Sequence, residues 1–224
     1  RSTGPWGPAI QAKWLLRQSF VDTWFCYATL SNYFKLFDDG ELEPELTARQ
    51  PGGPDKWFGA PERNGSRMHG DGVNAKCLLR VPDREPKPAY YAYQNLCAAM
   101  DSTYVRAEPD YRFRVVDAGQ FHGIGEYEDA FPSVPLLAAY QADDAAFLAH
   151  WLPWIPQEYV GEFATIDLEV ATKFRDPVLL DLMKGDVYAV NSFEAETGKT
   201  VFGGLPMADY PFAIAERSKI GLVA

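Results

Sequence analysis

The sequence predicts an α/β segment followed by an all-β antiparallel domain, and three observations carry that expectation. Gln11–Tyr27 and Lys87–Met100 each repeat apolar residues at helical spacing, and a short aromatic-rich run, Leu30–Phe37, lies between them. After Tyr111 the helical period is lost, and short, often alternating apolar segments are separated by Gly, Pro, Asp and Asn, the pattern of a β-sandwich. Leu30–Phe37 has no second strand near it in the chain, so its backbone donors and acceptors need sheet partners from elsewhere.

In chain order, Arg1–Pro8 reads as loop, because Gly4, Pro5, Gly7 and Pro8 leave no regular structure. In the first helix Ile10, Trp14, Val21, Trp24, Phe25 and Ala28 form a broad apolar stripe for packing on a sheet. Leu30–Phe37 is short and aromatic, as a buried strand is, and Asp38-Asp39-Gly40 ends it as a turn. Glu41–Val73 lacks apolar periodicity, and a span of that length inside a compact domain is functional or disordered. Pro88 falls in the first turn of the second helix, where a missing N–H costs nothing, and Ala92, Leu96, Ala99 and Met100 mark its buried face. Asp101–Asp110 reads as a linker. Strands are expected at Tyr111–Val116, Val134–Tyr140, Ala145–Trp151, Phe163–Val170, Val178–Leu182, Asp186–Val190 and Thr200–Phe202. Met183-Lys184-Gly185 should make a tight hairpin turn. The domain boundary is expected between residues 103 and 104.

Composition narrows the function classes. The 224 residues are 47% hydrophobic, which excludes wholesale disorder. No run approaches the roughly 18–20 apolar residues of a membrane span, so a soluble chain with no membrane partner is expected. A formal charge of -10 argues against nucleic acid and suits a neutral substrate. The opening RSTGPWGP has neither Met nor an apolar signal segment and looks like a cut end. Asn64-Gly65-Ser66 matches a glycosylation acceptor, a triplet common by chance. The compartment is left open, with a secreted or periplasmic chain compatible. Cys26, Cys77 and Cys97 lack metal-ligand spacing. Cys26 and Cys97, among apolar helix residues, read as buried thiols. His69 near Asp71 is too little for a metal site, and no metal or cofactor is expected. No nucleophile-elbow motif occurs.

Three stretches in the first half belong together: Gln11-Ala12-Lys13-Trp14, the run LSNYFKLFDDG at 30–40, and KCLLRVPDREPKPAYYAYQNL at 76–96. They resemble the last part of a retaining (β/α)8-barrel glycoside hydrolase of the cellulase/β-xylosidase/α-iduronidase clan, over roughly Gly7–Met100. His150–Trp154 (HWLPW), Ala164–Val170 (ATIDLEV) and Pro177–Val190 (PVLLDLMKGDVYAV) are similar to the β-sandwich appended to such barrels. The resemblance implies that residues 1–103 hold loop 7, helix 7, strand 8, a long loop 8 and helix 8 of a TIM barrel, with the sandwich at 104–224. Retaining glycosidases use two carboxyl groups about 5–5.5 Å apart. In this clan they end strands four and seven, both upstream of Arg1, so no catalytic residue is expected in this chain. The loops Arg1–Pro8 and Asp38–Val73 would lie on the catalytic face.

Eight residues are candidates for sugar contacts on that basis. Tyr33 matches the aromatic at the end of strand eight that stacks on a sugar ring; the alternative is a core aromatic. Lys35 points to the same side and would contact sugar or form a structural ion pair. The clan more often has an acidic residue there, so an acidic sugar is also admitted. Asp38 and Asp39 would bind hydroxyls or cap the turn. Trp57, Arg67 and His69 would line a subsite, and Trp6 offers a second platform. His122 and His150 read as structural, and Glu126, Glu128, Asp143, Asp144 and Asp167 scatter without a catalytic spacing. The expected function is the C-terminal portion of a glycoside hydrolase, inactive alone, with a carbohydrate substrate and an upstream part of the same enzyme as partners. The alternatives are a non-catalytic carbohydrate-binding or assembly module, and a processed subunit completing a barrel with a second chain. Sandwich domains of such enzymes often mediate subunit contacts, so a homo-oligomer is left open.

Overall fold

The computed structural model describes residues 7–33, 36, 77–80, 84–121, 135–143, 145–190, 193–196 and 198–222. Helix α1 (Pro8–Phe20) continues into a wider π-turn at Val21–Phe25, and α2 spans Pro88–Ala99. The strands are β1 (Val105–Ala107), β2 (Tyr111–Asp117), β3 (Leu136–Ala142), β4 (Ala145–Trp151) and β5 (Ala164–Val170). They continue with β6 (Pro177–Asp181), β7 (Asp186–Ala189), β8 (Phe193–Glu196), β9 (Lys199–Met207) and β10 (Phe212–Glu216). Among the described residues all ladders are antiparallel, in a six-stranded sheet ordered β1-β3-β4-β10-β6-β7 and a four-stranded sheet ordered β2-β5-β9-β8. No closed barrel is present among them.

The six-stranded sheet forms the middle layer. Every residue of β4, β6 and β10 is buried, because successive side chains enter two different cores. Ala146, Leu148, Leu179, Phe212 and Ile214 meet the four-stranded sheet across Ile166, Leu168 and Phe202. Phe147, Ala149, Trp151, Val178, Leu180, Ala213 and Ala215 face the two helices. Phe20 of α1 sits in this second core, with ring centroids 6.2, 6.1 and 6.0 Å from Tyr140, Phe147 and Trp151. Small side chains (Ala12 on α1, Ala89 and Ala92 on α2) are fully buried, so the two helices approach closely.

The helices run parallel. Near their N-terminal ends, Gln11 Nε2 donates to Cys77 O (3.0 Å), and Lys87 N, at the start of α2, donates to Leu78 O (3.0 Å). At the other end, β1 follows α2 and grips the end of the π-turn: Arg106 Nε donates to Trp24 O (2.7 Å), and Trp24 Nε1 donates to Ala107 O (3.0 Å). Between the helices the chain doubles back. Ser31 Oγ donates to Asp22 (2.8 Å), and Tyr33 then lies beside Gln11.

Several expectations need correction. The first helix begins at Pro8 and ends its α-turns at Phe20. Hydroxyls of Ser19 and Thr23 donate to carbonyls four residues back, competing with the regular ladder where the turn widens. The stripe Ile10, Trp14, Val21, Trp24, Phe25 and Ala28 is not the deeply buried face; that face is Gln11, Ala12, Lys13, Leu15, Leu16, Arg17 and Phe20. In Leu30–Phe37 none of the described residues belongs to a strand, although Leu36 O accepts a single backbone bond from Leu79 N (2.9 Å). Exposure still alternates: Leu30 and Asn32 are exposed, Ser31 and Tyr33 half-buried. The expected linker Asp101–Asp110 contains β1, and β8 and β10 lie outside the expected strands. Cys77 is the buried thiol; Cys26 and Cys97 are exposed, because both fall on the helix sides turned from the core. The hairpin turn after β6 is as expected: Gly185 takes φ 81° and donates to Asp181 O (2.7 Å).

His150, on β4, is fully buried between the sheets, with Nε2 3.1 Å from Pro206 O. A carbonyl only accepts, so Nε2 carries a proton, and the buried Nδ1, which has no hydrogen-bond partner among the described residues, disfavours a second one. Burial lowers its pKa from 6.5 to about 4. Between those values the unfolded chain binds a proton that the folded chain refuses, so stability must fall as pH drops from 6.5 towards 4. At pH 4.5 urea unfolding should show roughly 2–3 kcal/mol less stability from this group than at pH 7. A His150→Phe variant should lack that component, and an identical pH slope in the two proteins would refute the assignment.

Candidate functional site

Helix α1 begins with Pro8 at its first position and has no acidic residue in its first turn. Glu158, from the β4–β5 connection, supplies the missing charge: Ala9 N and Ile10 N donate to its carboxylate at 3.3 and 3.4 Å. A side chain at Gly7 would meet that carboxylate and push it from the helix end.

Behind this end lies a buried polar cluster. Lys13 Nζ donates to Asp209 Oδ1 (2.7 Å) and Oδ2 (3.0 Å) and to Gln157 O (2.6 Å). Gln157 N donates to Asp209 Oδ2 (2.7 Å), and Arg17 donates to Trp154 O (2.7 Å). Burial lowers the Arg17 pKa, with the Asp209 charge opposing it. Asp209 is fully buried and Lys13 nearly so, and a charge pair at such depth persists only because each atom is hydrogen-bonded. Further along, Tyr210 donates to Asp181 Oδ2 (3.3 Å), and Asp181 Oδ1 accepts from Met183 N and Lys184 N in the hairpin turn. Burial raises the Asp181 pKa, against the lowering effect of Lys184.

The third component is Gln11. Its Nε2 donates to Tyr33 Oη (2.9 Å) and to Cys77 O (3.0 Å), and it is buried. One side chain thereby joins α1 to both sides of the 34–76 interval. Leu79 N donates to Leu36 O (2.9 Å), Arg80 N to Glu85 O, and Leu79 bridges Pro86. Leu36 and Leu79, 43 positions apart in the sequence, are thus in contact at the end of the α layer where Gly7 stands.

Of the eight candidates only Tyr33 is described. It is half-buried against the helix-side core and hydrogen-bonded to Gln11. Trp6, Lys35, Asp38, Asp39, Trp57, Arg67 and His69 lie outside the described residues, as do His122, Glu126, Glu128 and Asp144. The described residues that flank those seven candidates in sequence, Gly7, Tyr33, Leu36 and Cys77, come together at this one end. Sequence reasoning missed Gln11, Lys13, Glu158 and Asp209. For Gln11 and Lys13 the available signal was their spacing in phase with Leu15 and Phe20; for Glu158, 149 residues from Ala9, there was none.

No family model, curated protein or solved structure matches the chain.

Chemically, the buried carboxylates here are committed. Asp209 is held by Lys13 and Gln157, Asp181 by its turn, and Glu216 by the backbone amides of Arg175 and Asp176 (2.8 and 3.0 Å). Among the described residues no group of three or more His, Cys, Asp or Glu is placed to hold a metal. No described helix is long and apolar enough to cross a membrane.

Two measurements test this arrangement. Gln11→Ala leaves the Tyr33 hydroxyl and Cys77 carbonyl without this donor, which should cost about 1–3 kcal/mol in urea unfolding and speed hydrogen exchange at the Leu79 amide. Lys13→Met strands the Asp209 charge and should cost about 3–5 kcal/mol. Adding Asp209→Leu should recover part of that loss, whereas additive losses would mean that the pair is not coupled.

Proposed function

We propose that this chain is the C-terminal portion of a retaining glycoside hydrolase: the last βα units of a (β/α)8 barrel followed by its β-sandwich. One observation carries the reading beyond the motif resemblance. Two helices that start at the same end are joined by a chain that returns from Asp22, at the end of the first, to Gln11, near its start, with exposure alternating over residues 30–33, which is how consecutive helices and the strand between them run in a βα repeat. In a barrel the N-terminal ends of such helices lie on the catalytic face, the end to which the 34–76 interval is tied by Gln11 and Leu79.

In this mechanism one upstream carboxylate attacks the anomeric carbon and a second protonates the leaving oxygen, then serves as base for water. This chain's part is to bind and orient. Tyr33, Lys35, Asp38 and Asp39 would contact the sugar at the end of strand eight, with Trp6, Trp57, Arg67 and His69 around it. The structural use of Asp181, Asp209 and Glu216 fits catalytic carboxylates located elsewhere.

Intact native material containing this chain should hydrolyse an aryl glycoside with retention of anomeric configuration, followed by NMR. A 2-deoxy-2-fluoro glycoside should label a carboxylate that peptide mapping places outside Arg1–Ala224. Inversion, or a label on this chain, would sink the proposal; glycan binding without any hydrolysis is what a binding module would give.

A further inference from the structure

Ile155 and Tyr159, at 74% and 78%, are the most exposed large apolar side chains among the described residues. Isolated exposed apolar residues are ordinary on protein surfaces; the support beneath Tyr159 is not. The β4–β5 connection that carries it is pinned along its length. Leu152 N donates to Ala208 O (2.8 Å), Arg17 holds Trp154 O, Lys13 holds Gln157 O, and Glu158 binds the start of α1. Beyond Tyr159, Gln120 Oε1 accepts from Gly161 N (2.6 Å) and Glu162 N (2.9 Å). The ring edge lies against Gly161, whose added Cβ would stand 3.1 Å from Cε1. The rest of the ring faces solvent, next to the residue that caps α1, at the end where the stems meet.

We propose that Tyr159 is a sugar-stacking platform, contributed by the sandwich to a distal subsite for an extended, neutral glycan. An aromatic face suits the C–H side of a sugar ring, and a backbone already held in place loses little entropy on binding. The chain's formal charge of -10 disfavours a polyanionic glycan and leaves a neutral one as the fitting occupant. The inference rests on the glycosidase reading.

The test compares wild type, Tyr159→Ala and Tyr159→Phe in the intact enzyme, on an aryl monoglycoside and on an oligosaccharide of the same sugar. Tyr159→Ala should lower kcat/KM for the oligosaccharide roughly three- to tenfold, mainly through KM. Tyr159→Phe should restore it, and the aryl monoglycoside should be unaffected. Unchanged oligosaccharide kinetics, or equal losses on both substrates, would overturn the platform and leave the glycosidase reading intact. Failure of the wild type to hydrolyse any glycoside would overturn that reading and this inference with it.

Discussion

A sheet that is apolar on both faces has to be covered twice. Antiparallel sheets commonly keep one face in water, but β4, β6 and β10 have no exposed residue. The four-stranded sheet covers one side, and α1 and α2 cover the other. That requirement fixes the seating of the helices, since the helix-facing side combines small residues (Ala149, Ala213, Ala215) with the Tyr140, Phe147 and Trp151 rings around Phe20. Helices seated on such a surface have one place and one direction, and their shared direction brings the stems to one end.

The polar residues on the buried side of α1 add register to that packing. A buried ion pair such as Lys13–Asp209 gives little net stability over an apolar pair of the same size, yet losing one partner is costly. Its effect here is geometric. Arg17 at Trp154, Lys13 at Gln157 and the first amides of α1 at Glu158 lay 154–158 along the helix towards its N-terminus. A helix sliding by one turn on the sheet would break all three sets of bonds together.

The sequence showed most of the β domain. Short apolar segments between Gly, Pro, Asp and Asn marked seven of the ten described strands, and Met183-Lys184-Gly185 announced its own turn. β1 and β8, at three and four residues, are too short for a period to show. β10 reads FAIAE, and like β4 and β6 it is buried on both faces and does not alternate. The inward face of α1 differs from the expected apolar stripe because it includes the polar residues Gln11, Lys13 and Arg17. Each has a partner more than 60 residues away (Cys77, Asp209 and Trp154), and no local pattern encodes that. The site was legible only as candidate residue types; that Gly7, Tyr33, Leu36 and Cys77 meet follows from tertiary hydrogen bonds alone.

The misread stripe on α1 has a physical meaning of its own. The stripe divides: Val21 and Trp24 pack against the helix-side core and the Phe25 ring lies 6.2 Å from Trp151, whereas Trp14 is 39% exposed. Leu30 and Leu36 of the returning segment are exposed as well. A helix with two apolar sides is normally buried on both, and neighbouring exposed apolar side chains mark a surface that is normally covered. The two features occur together, between helices that already run as βα-repeat helices run. Under the glycosidase proposal, an upstream part of the barrel laid against Trp14, Leu30 and Leu36 would cover these exposed side chains, as a barrel's inner strands cover the inner faces of its outer helices.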